Sequence, residues 1–564
     1  MAGHIVEMVR ALDDDAERLA ACQVMDTASP NYGGFLLPSH YVEPRMSGFG
    51  FSRLALAYMH GESAHFLSEK IRAALEASLA YMERWQRPDG CFDLSGCNFA
   101  SPPDTAFMIN AALFAWWALE KRGVPEARWL RGPMYRLIDS AASGIAAGGF
   151  HTPNHRWAIA SCLAHCWKIT GRGELMARAE TYLSEGLDIN EDGEFAERSA
   201  GNYNQVNDDQ MIRLYLATGD AKYLESARRN LEMMYAYIDP DDSVFTNNST
   251  RQDRGRKVYM DSYYELYLMA GWLLQDKRLG AMAEWIYRSC QRRGVKPGGV
   301  EWLLLYPEAD GYGSDCPDES FSPPFLKYDR SFRESAITRV RDGNISWTLM
   351  LGKANFLYFQ HGSFPMYMVV YSNICDQRNF KPETIERVDG GYRLRARAEG
   401  WYYLPWDPDD PDKPPTSDWW AMDNERTREK TYGLPLITTV TVVSREGGID
   451  VRVHTEGIDR LPLRVEIGFA APCRVRTDSF LLDGKAGESI VALRGYAEVA
   501  GPRGEMITIG PLFGSHGLLG RSEGAYPQSG DHFTMYLTAT TPVDKTLEIR
   551  AASLPPLEKL AREG

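Results

Sequence analysis

The stretch "HRWAIASCLAHCWKITGRGELMARAETYL", residues 155–183, overlays "YNQVNDDQMIRLYLATGDAKYLESARRNL", residues 203–231, without a gap. Thr170-Gly171 meets Thr218-Gly219, Ala179 meets Ala227 and Leu183 meets Leu231. Each copy reads as a helix, a Gly turn and a second helix. Apolar residues recur at three and four on both sides of the turn, as one buried face of a helix requires. The same offset carries Gly171 back to Gly123, after "FMINAALFAWWALEKRG". Repeated helical hairpins cannot bury their apolar faces alone, so they stack into a solenoid or close into a ring.

Working outward, the helical period runs from residue 10 to about 293. It is carried by "HFLSEKIRAALEASLAYMERW", "KYLESARRNLEMMYAYI" and "YYELYLMAGWLL", with breakers such as Pro88-Asp89-Gly90 between the runs. After Lys296-Pro297-Gly298-Gly299 the period changes to two, in "ISWTLML", "ANFLYFQ", "MYMVVYS", "YRLRARAE", "ITTVTVVSREGGIDVRVHT", "LRVEIGF", "HFTMYLTAT" and "TLEIRA". Strands without intervening helices predict an antiparallel β-sandwich. Glu446-Gly447-Gly448 predicts a hairpin turn, and "PWDPDDPDKPPTSD" (405–418) a long loop between strands. The expected fold is therefore multidomain α and β: an N-terminal (α/α) toroid of helical hairpins over 1–295 and a C-terminal antiparallel β-sandwich over 296–564.

Charge narrows the partners. The net charge of −14 argues against nucleic acid and against an anionic membrane surface. A local basic pocket can still take an acidic substrate. Aromatic residues are 12% of the chain, which suits a sugar-handling protein as well as a large core. The nine Cys are scattered without a CxxC pair, and the N-terminal "MAGHIVEMVRALDDDAERLAACQ" is acidic and amphipathic, not a secretory signal. Together these predict a reduced, cytoplasmic protein. No apolar run is long enough to span a bilayer.

Two helix starts carry the candidate chemistry. In the overlay, Asn154-His155 falls on Asn202-Tyr203, so polar side chains far apart in sequence face one mouth of a ring. "PNHRW" (153–157) and "DGEFAERSAGNYN" (192–204) resemble the motifs of heparinase II/III-like polysaccharide lyases, in which an Asn-His pair lies upstream of DG, Glu-x-Ser and a Tyr. That family's usual residue after the Tyr is His; this chain has Asn204. The resemblance implies a toroid-plus-sandwich lyase that cleaves a uronate glycan by β-elimination, without a cofactor.

The chemistry suits these residue types. Elimination removes the C5 proton beside the uronate carboxylate and expels the group on O4. Asn154 can donate to that carboxylate through its amide, and the positive end of the helix adds to it. Tyr203 or His155 can take the proton, and Tyr203 is suited to protonate the leaving oxygen. A tyrosine base needs a nearby cation such as Arg156 or Arg198. Each has a plainer reading as helix-cap chemistry. His361, in "LYFQHGSF", ends a strand and is a further candidate, implied by lyases that bring a His or Tyr from the second domain.

Substrate contacts are expected from Glu197, Asn202, Asn204, Arg156 and Trp157 around the two starts. The basic loop "NNSTRQDRGRK" (247–257) adds Arg251 and Arg254 for uronate carboxylates, or is a solvated charged loop. Asn98 and Asp104 of "GCNFASPPDTAF" (96–107) line the cavity or serve their own helix start. Metal is not expected: His151 and His155 have i, i+4 spacing, but Pro153 intervenes and no third ligand is evident. Phosphate loop, dinucleotide fingerprint and nucleophile elbow are all missing. A toroid glycoside hydrolase, such as an unsaturated uronyl hydrolase, stays open, because Asp104, Glu197, Asp208, Asp209 and Asp261 lie near helix starts. So does a non-catalytic glycan binder that uses Trp157, Tyr259, Tyr263 and Tyr264. The expected partner in all three is an acidic oligosaccharide or polysaccharide; as a lyase, exolytic action on imported chains is preferred.

Overall fold

A computed structural model describes residues 4–314, 324–375, 377–407, 409 and 418–553. Most of the 405–418 loop, and Cys316, lie outside the described residues. The chain forms two compact units. The first holds residues 1–238 and 242–323, and the second holds Asp239–Asp241 and 324–564.

The first unit is helical. Its main helices are α1 (His4–Cys22), α2 (Ser47–Met59), α3 (Glu69–Trp85), α4 (Pro102–Arg122), α5 (Arg131–Ala147), α6 (Pro153–Thr170), α7 (Gly173–Leu183), α8 (Tyr203–Thr218), α9 (Ala221–Met234), α10 (Tyr264–Leu274) and α11 (Lys277–Arg293). The even-numbered helices form the inner layer: α2 packs on α4, α4 on α6, α6 on α8 and α8 on α10. The sequences of α4 and α6 are apolar nearly all round, since they are covered on every side, while α8 buries Asn207, Asp208, Gln210 and Arg213 as well. The outer helices α3, α7, α9 and α11 are amphipathic, with one buried face.

The 48-residue offset of the sequence becomes a spatial register. The Asn110 amide donates to the Ala158 carbonyl at 3.2 Å. His165 Nε2 meets the Arg213 carbonyl at 3.1 Å, and Lys168 Nζ donates to the Leu216 carbonyl at 2.9 Å. Each pair is 48 apart, so the inner helices stand side by side, one repeat per step. Gly123, Gly171 and Gly219 cap α4, α6 and α8 with φ of 61°, 74° and 75°, a left-handed turn that glycine makes without a Cβ clash. The layer closes into a toroid because α1 returns to the last hairpin. His4 Nδ1 bonds the Tyr264 hydroxyl at 2.7 Å, His4 Nε2 pairs with Glu284 at 2.7 Å, and the ring stacks on Tyr287 at 3.7 Å. Helical turns continue past Gly298, at Glu301–Leu305, before the first long strand at Lys327–Phe332.

The second unit is a β-sandwich of two nine-stranded sheets. One runs in the order 489–491, 532–540, 462–470, 364–374, 357–361, 345–350, 337–342, 327–332, with 377–379 beside 364–374. The other runs 384–388, 391–398, 436–445, 448–457, 544–553, 505–513, 494–500, 473–476, 481–484. Among the strands described, pairing is antiparallel except between 489–491 and 532–540, a short parallel edge beside which Gly514 makes a further parallel bridge to Thr538. The expected hairpin at Glu446-Gly447 is present, with Arg445 opposite Gly448. Inward residues such as Met368, Leu394, Val440, Val451, Val465, Leu537 and Ile549 form one core between the sheets. No helix among the described residues is long and apolar enough to cross a membrane.

Candidate functional site

The starts of α4, α6 and α8 and the loop before α10 assemble one polar group in the first unit. Pro153 begins α6 with a ring that needs no N–H partner, so the helix starts two residues ahead of the His155–Tyr203 overlay. Asn154 is buried. Its amide nitrogen donates to Glu197 Oε1 at 2.6 Å and to Thr152 Oγ1 at 3.1 Å. Both amide protons are therefore used inside the protein, and the edge without a partner is the carbonyl Oδ1. The expected amide donation to a substrate carboxylate is not made in this rotamer.

Glu197 is the hinge of the group. Burial raises its carboxyl above the ordinary glutamate range, opposed by the Asn154 amide and by Arg251. Arg251 Nε stands 3.7 Å from Glu197 Oε1. The Arg251 guanidinium also lies 4.7 Å over the Tyr203 ring. Its charged form is favoured first by a hydrogen bond with the Tyr203 phenol and then, against burial, by Glu197. Arg251, expected from the sequence among the substrate contacts, is a cation at the Tyr203 ring, while Arg156 pairs with Glu185.

The loop that carries Arg251 is pinned by a residue the sequence reading passed over. Asp253 is buried; it accepts from the Ser199 hydroxyl at 2.8 Å, the Ser249 hydroxyl at 2.5 Å and the Gly201 amide at 2.9 Å. Ser199 Oγ in turn accepts from the Tyr203 backbone N–H at 3.1 Å. In the Glu-x-Ser motif, Glu197 therefore meets Asn154 while Ser199 ties the tyrosine turn to the Arg251 loop. Between them Arg198 has φ of +45°, a left-handed conformation costly for a residue with a Cβ. Gly193 of the DG motif is structural: a Cβ there would stand 2.5 Å from the Arg229 carbonyl oxygen.

His155 is half-buried, and burial lowers its imidazole to about 4, so the ring is neutral at neutral pH. Asp104 opposes that shift, while Arg45 and Arg251 add to it, which places His155 among these charges. Its Nδ1 has no hydrogen-bond partner among the described residues. Phe107 meets the ring edge-on at 6.0 Å. Asp104 accepts from Asn98 at 2.9 Å and from Ser101 Oγ at 2.6 Å, and pairs with Arg45 at 3.3 Å. Ser101 also caps α4 through the Asp104 N–H. Asn98 and Asp104 so combine helix-start chemistry with a place in the group. Alongside them opens a cavity of about 390 Å³ lined by Asn98, Phe99, Ser101, Phe150 and His151.

Other expected contacts lie elsewhere. Trp157 has no exposed surface and belongs to the core, so it offers no face to a sugar. Arg156 stacks on Trp157 at 4.1 Å and pairs with Glu185 at 2.8 Å. Asn204 is buried, with its amide toward Met234 Sδ at 3.7 Å. Asn202 is the half-buried N-cap residue of α8 and makes no side-chain cap bond. Arg254 is exposed on the basic loop. Tyr263 and Tyr264, offered for the binding reading, are fully buried. His361 belongs to the second unit, where Nδ1 donates to the Met506 carbonyl at 3.1 Å and leaves the lone pair on Nε2. Among the described residues, no cluster of three or more His, Cys, Asp or Glu is placed to hold a metal ion.

Solved structures share this architecture. A Paenibacillus xanthan lyase superposes with a TM-score of 0.57 at 11% identity, over 99% of this chain and 58% of its own. A Streptomyces coelicolor A3 chondroitin AC lyase gives 0.54 at 12% identity, over 99% and 80%. A heparan sulfate lyase HepC mutant from Pedobacter heparinus gives 0.50 at 10% identity, over 96% and 83%. The fold is that of toroid-plus-sandwich polysaccharide lyases. The chain spans little more than half the length of the xanthan lyase. No family model matches the sequence, and no curated protein matches it.

Proposed function

We propose that this protein cleaves a uronate-containing glycan by β-elimination, acting exolytically on short chains. The observation that carries the reading is the Arg251 guanidinium lying 4.7 Å over the Tyr203 ring, in one group with Glu197, Asn154 and a neutral His155. A neutral imidazole is ready to accept the C5 proton. The C5–H electron pair then forms the C4=C5 double bond, the C4–O4 bond breaks, and O4 takes the Tyr203 proton. Arg251 stabilises the phenolate left behind and attracts the substrate carboxylate. Arg254, exposed on the same loop, adds to that attraction, and Asn98 and Asn202 offer amides to sugar hydroxyls.

Asn154 joins by turning its amide over. With Glu197 protonated, its O–H and that of Thr152 donate to Oδ1, and the NH₂ group is released to the developing enediolate. Burial pushes the Glu197 carboxyl toward its neutral form, while the Asn154 amide and Arg251 oppose that shift. His361, the sequence candidate in the second unit, is tested by His361→Gln in the same assay.

The test is absorbance near 235 nm across a panel of uronate oligosaccharides. New absorbance marks a lyase. Consumption of absorbance from unsaturated oligosaccharides marks a hydrolase, and no change on any of them marks a binder; either result overturns the proposal.

A further inference from the structure

The cavity of about 390 Å³ beside the starts of α4 and α6 is lined by residues 97–103 and 149–151, without an Asp, Glu, Lys or Arg among them. Two held turns meet to form it. The short strands Phe92–Leu94 and Asn98–Ser101 pair antiparallel, and Phe99 stands on the second of them. Asp93 accepts from the Ala100 N–H at 2.6 Å, and Glu43 accepts from the Ser95 N–H at 3.2 Å, so the hairpin is fixed at both ends of its return. The other turn lies directly on the start of α4: a Cβ at Gly148 would stand 1.9 Å from Pro102 Cγ. The Gly148 carbonyl accepts from the Tyr182 hydroxyl at 2.6 Å, and the Tyr182 ring meets Phe150 edge-on at 5.8 Å. The cavity is therefore preformed, and its volume is within the range of small-ligand sites.

Its walls turn aromatic surface outward. Phe99 is 68% exposed and Phe150 38%, so two phenylalanines share one rim as an apolar patch. Asn98 adds polar groups: its amide gives one N–H to Asp104 and keeps the other N–H and the carbonyl oxygen. Asp104, behind Asn98, is matched by Arg45 at 3.3 Å, so this pair offers the cavity no net charge. The cations for a uronate lie on the other side of the group, where Arg251 covers the Tyr203 ring. The cavity adjoins the group through His151, whose ring centroid is 6.1 Å from that of His155. A glycan with one uronate at His155 and Tyr203 sets a neighbouring sugar here. A second uronate in that position would bring its carboxylate to apolar rings with no cation to offset the lost hydration. An uncharged hexose matches the lining: its C–H face against Phe99 or Phe150, and its hydroxyl or acetamido groups at Asn98.

We propose that this cavity is the subsite for the sugar next to the cleaved uronate and that it selects an uncharged hexose, so the substrate is a chain in which uronate and uncharged hexose alternate. Both neighbours of a uronate are uncharged in such a chain, so its direction across the site does not alter the argument. The inference rests on the elimination reading for the place of the uronate. The test compares hexasaccharides of two kinds. Heparosan and hyaluronan alternate glucuronate with N-acetylglucosamine. Polygalacturonate, alginate and N-sulfated heparosan carry a charge on every sugar. Turnover is followed at 235 nm, and binding by calorimetric titration of the full-length Tyr203→Phe protein, which keeps the glycan intact. At least one alternating probe should exceed every fully charged one by about tenfold or more, in kcat/KM and in affinity. Phe99→Ala, at an exposed ring, should keep the melting temperature and raise KM on that probe with kcat little changed. Phe99→Lys should narrow the preference by giving the second charge a partner. Fully charged probes used as well as the alternating ones, an unchanged KM in Phe99→Ala, an unchanged preference in Phe99→Lys, or no binding of any probe would overturn the proposal. Absence of 235 nm product with the binding preference intact would remove the elimination reading and leave the subsite standing.

Discussion

Replacing Tyr203 by phenylalanine removes one oxygen and separates catalysis from packing. The Arg251 guanidinium lies over the ring and its side chain is 27% exposed, so the stability lost with the hydroxyl is at most the low end of about 0.5–1.5 kcal/mol. The rest of the local structure does not use the hydroxyl. Ser199 holds the Tyr203 backbone N–H, Asp253 holds the loop, and Arg251 still stacks on the ring. Loss of a proton donor to O4 costs roughly 10²- to 10⁴-fold in rate, or about 3–5 kcal/mol of barrier. Turnover should collapse while the melting temperature barely moves and the acidic substrate still binds. The assay is initial rate at 235 nm on the best substrate of the panel, beside a thermal melt and a binding titration of the variant. A Tyr203→Phe protein with a normal melt and a near wild-type rate would refute the role of Tyr203.

Three further outcomes follow from the charges. His155, lowered to about 4 by burial, stays neutral until well below the ordinary histidine range, so the acid limb of kcat/KM should fall near pH 4 and not near 6.5; a limb at about 6.5 that His155→Gln removes would contradict this. Asp253→Asn keeps the shape but gives up one acceptor of a buried, triply bonded carboxylate, at about 1.5–3 kcal/mol of stability, and turnover should drop with it because Arg251 is no longer held at Tyr203; a melt equal to wild type would sink that account. Asp208 is buried without a hydrogen-bond partner among the described residues, and burial raises its carboxyl well above the ordinary aspartate range. Its unfolded form releases the proton first, so the stability it lends is full below the ordinary aspartate range and is lost as pH rises toward its folded value. Asp208→Asn should flatten that decline in a melt-versus-pH series, and an unchanged slope would count against it.

The fold was legible because its signals are local and repeated. A 48-residue period in helix, glycine and helix becomes a 48-residue spatial register, since each inner helix buries its face on the next. Strand after strand with period two points to antiparallel sheets that bury one face. The neighbouring helix starts were legible for the same reason. The fate of each side chain within them was not. Trp157, Arg156 and Asn204 sit one or two positions from His155 or Tyr203, yet the turn of about 100° per residue in a helix sends them to the core, to Glu185 and to Met234. Arg251 and Arg254 look alike in the basic loop, but Asp253 folds that loop onto Ser199 and delivers Arg251 to the tyrosine. Arg45 reaches Asp104 from a distant segment of the sequence, with no local mark to announce it. Periodicity states which face of an element is buried. Which charges meet, which carboxyl is raised and which imidazole stays neutral depend on distances between distant segments, and those exist only once the ring has closed.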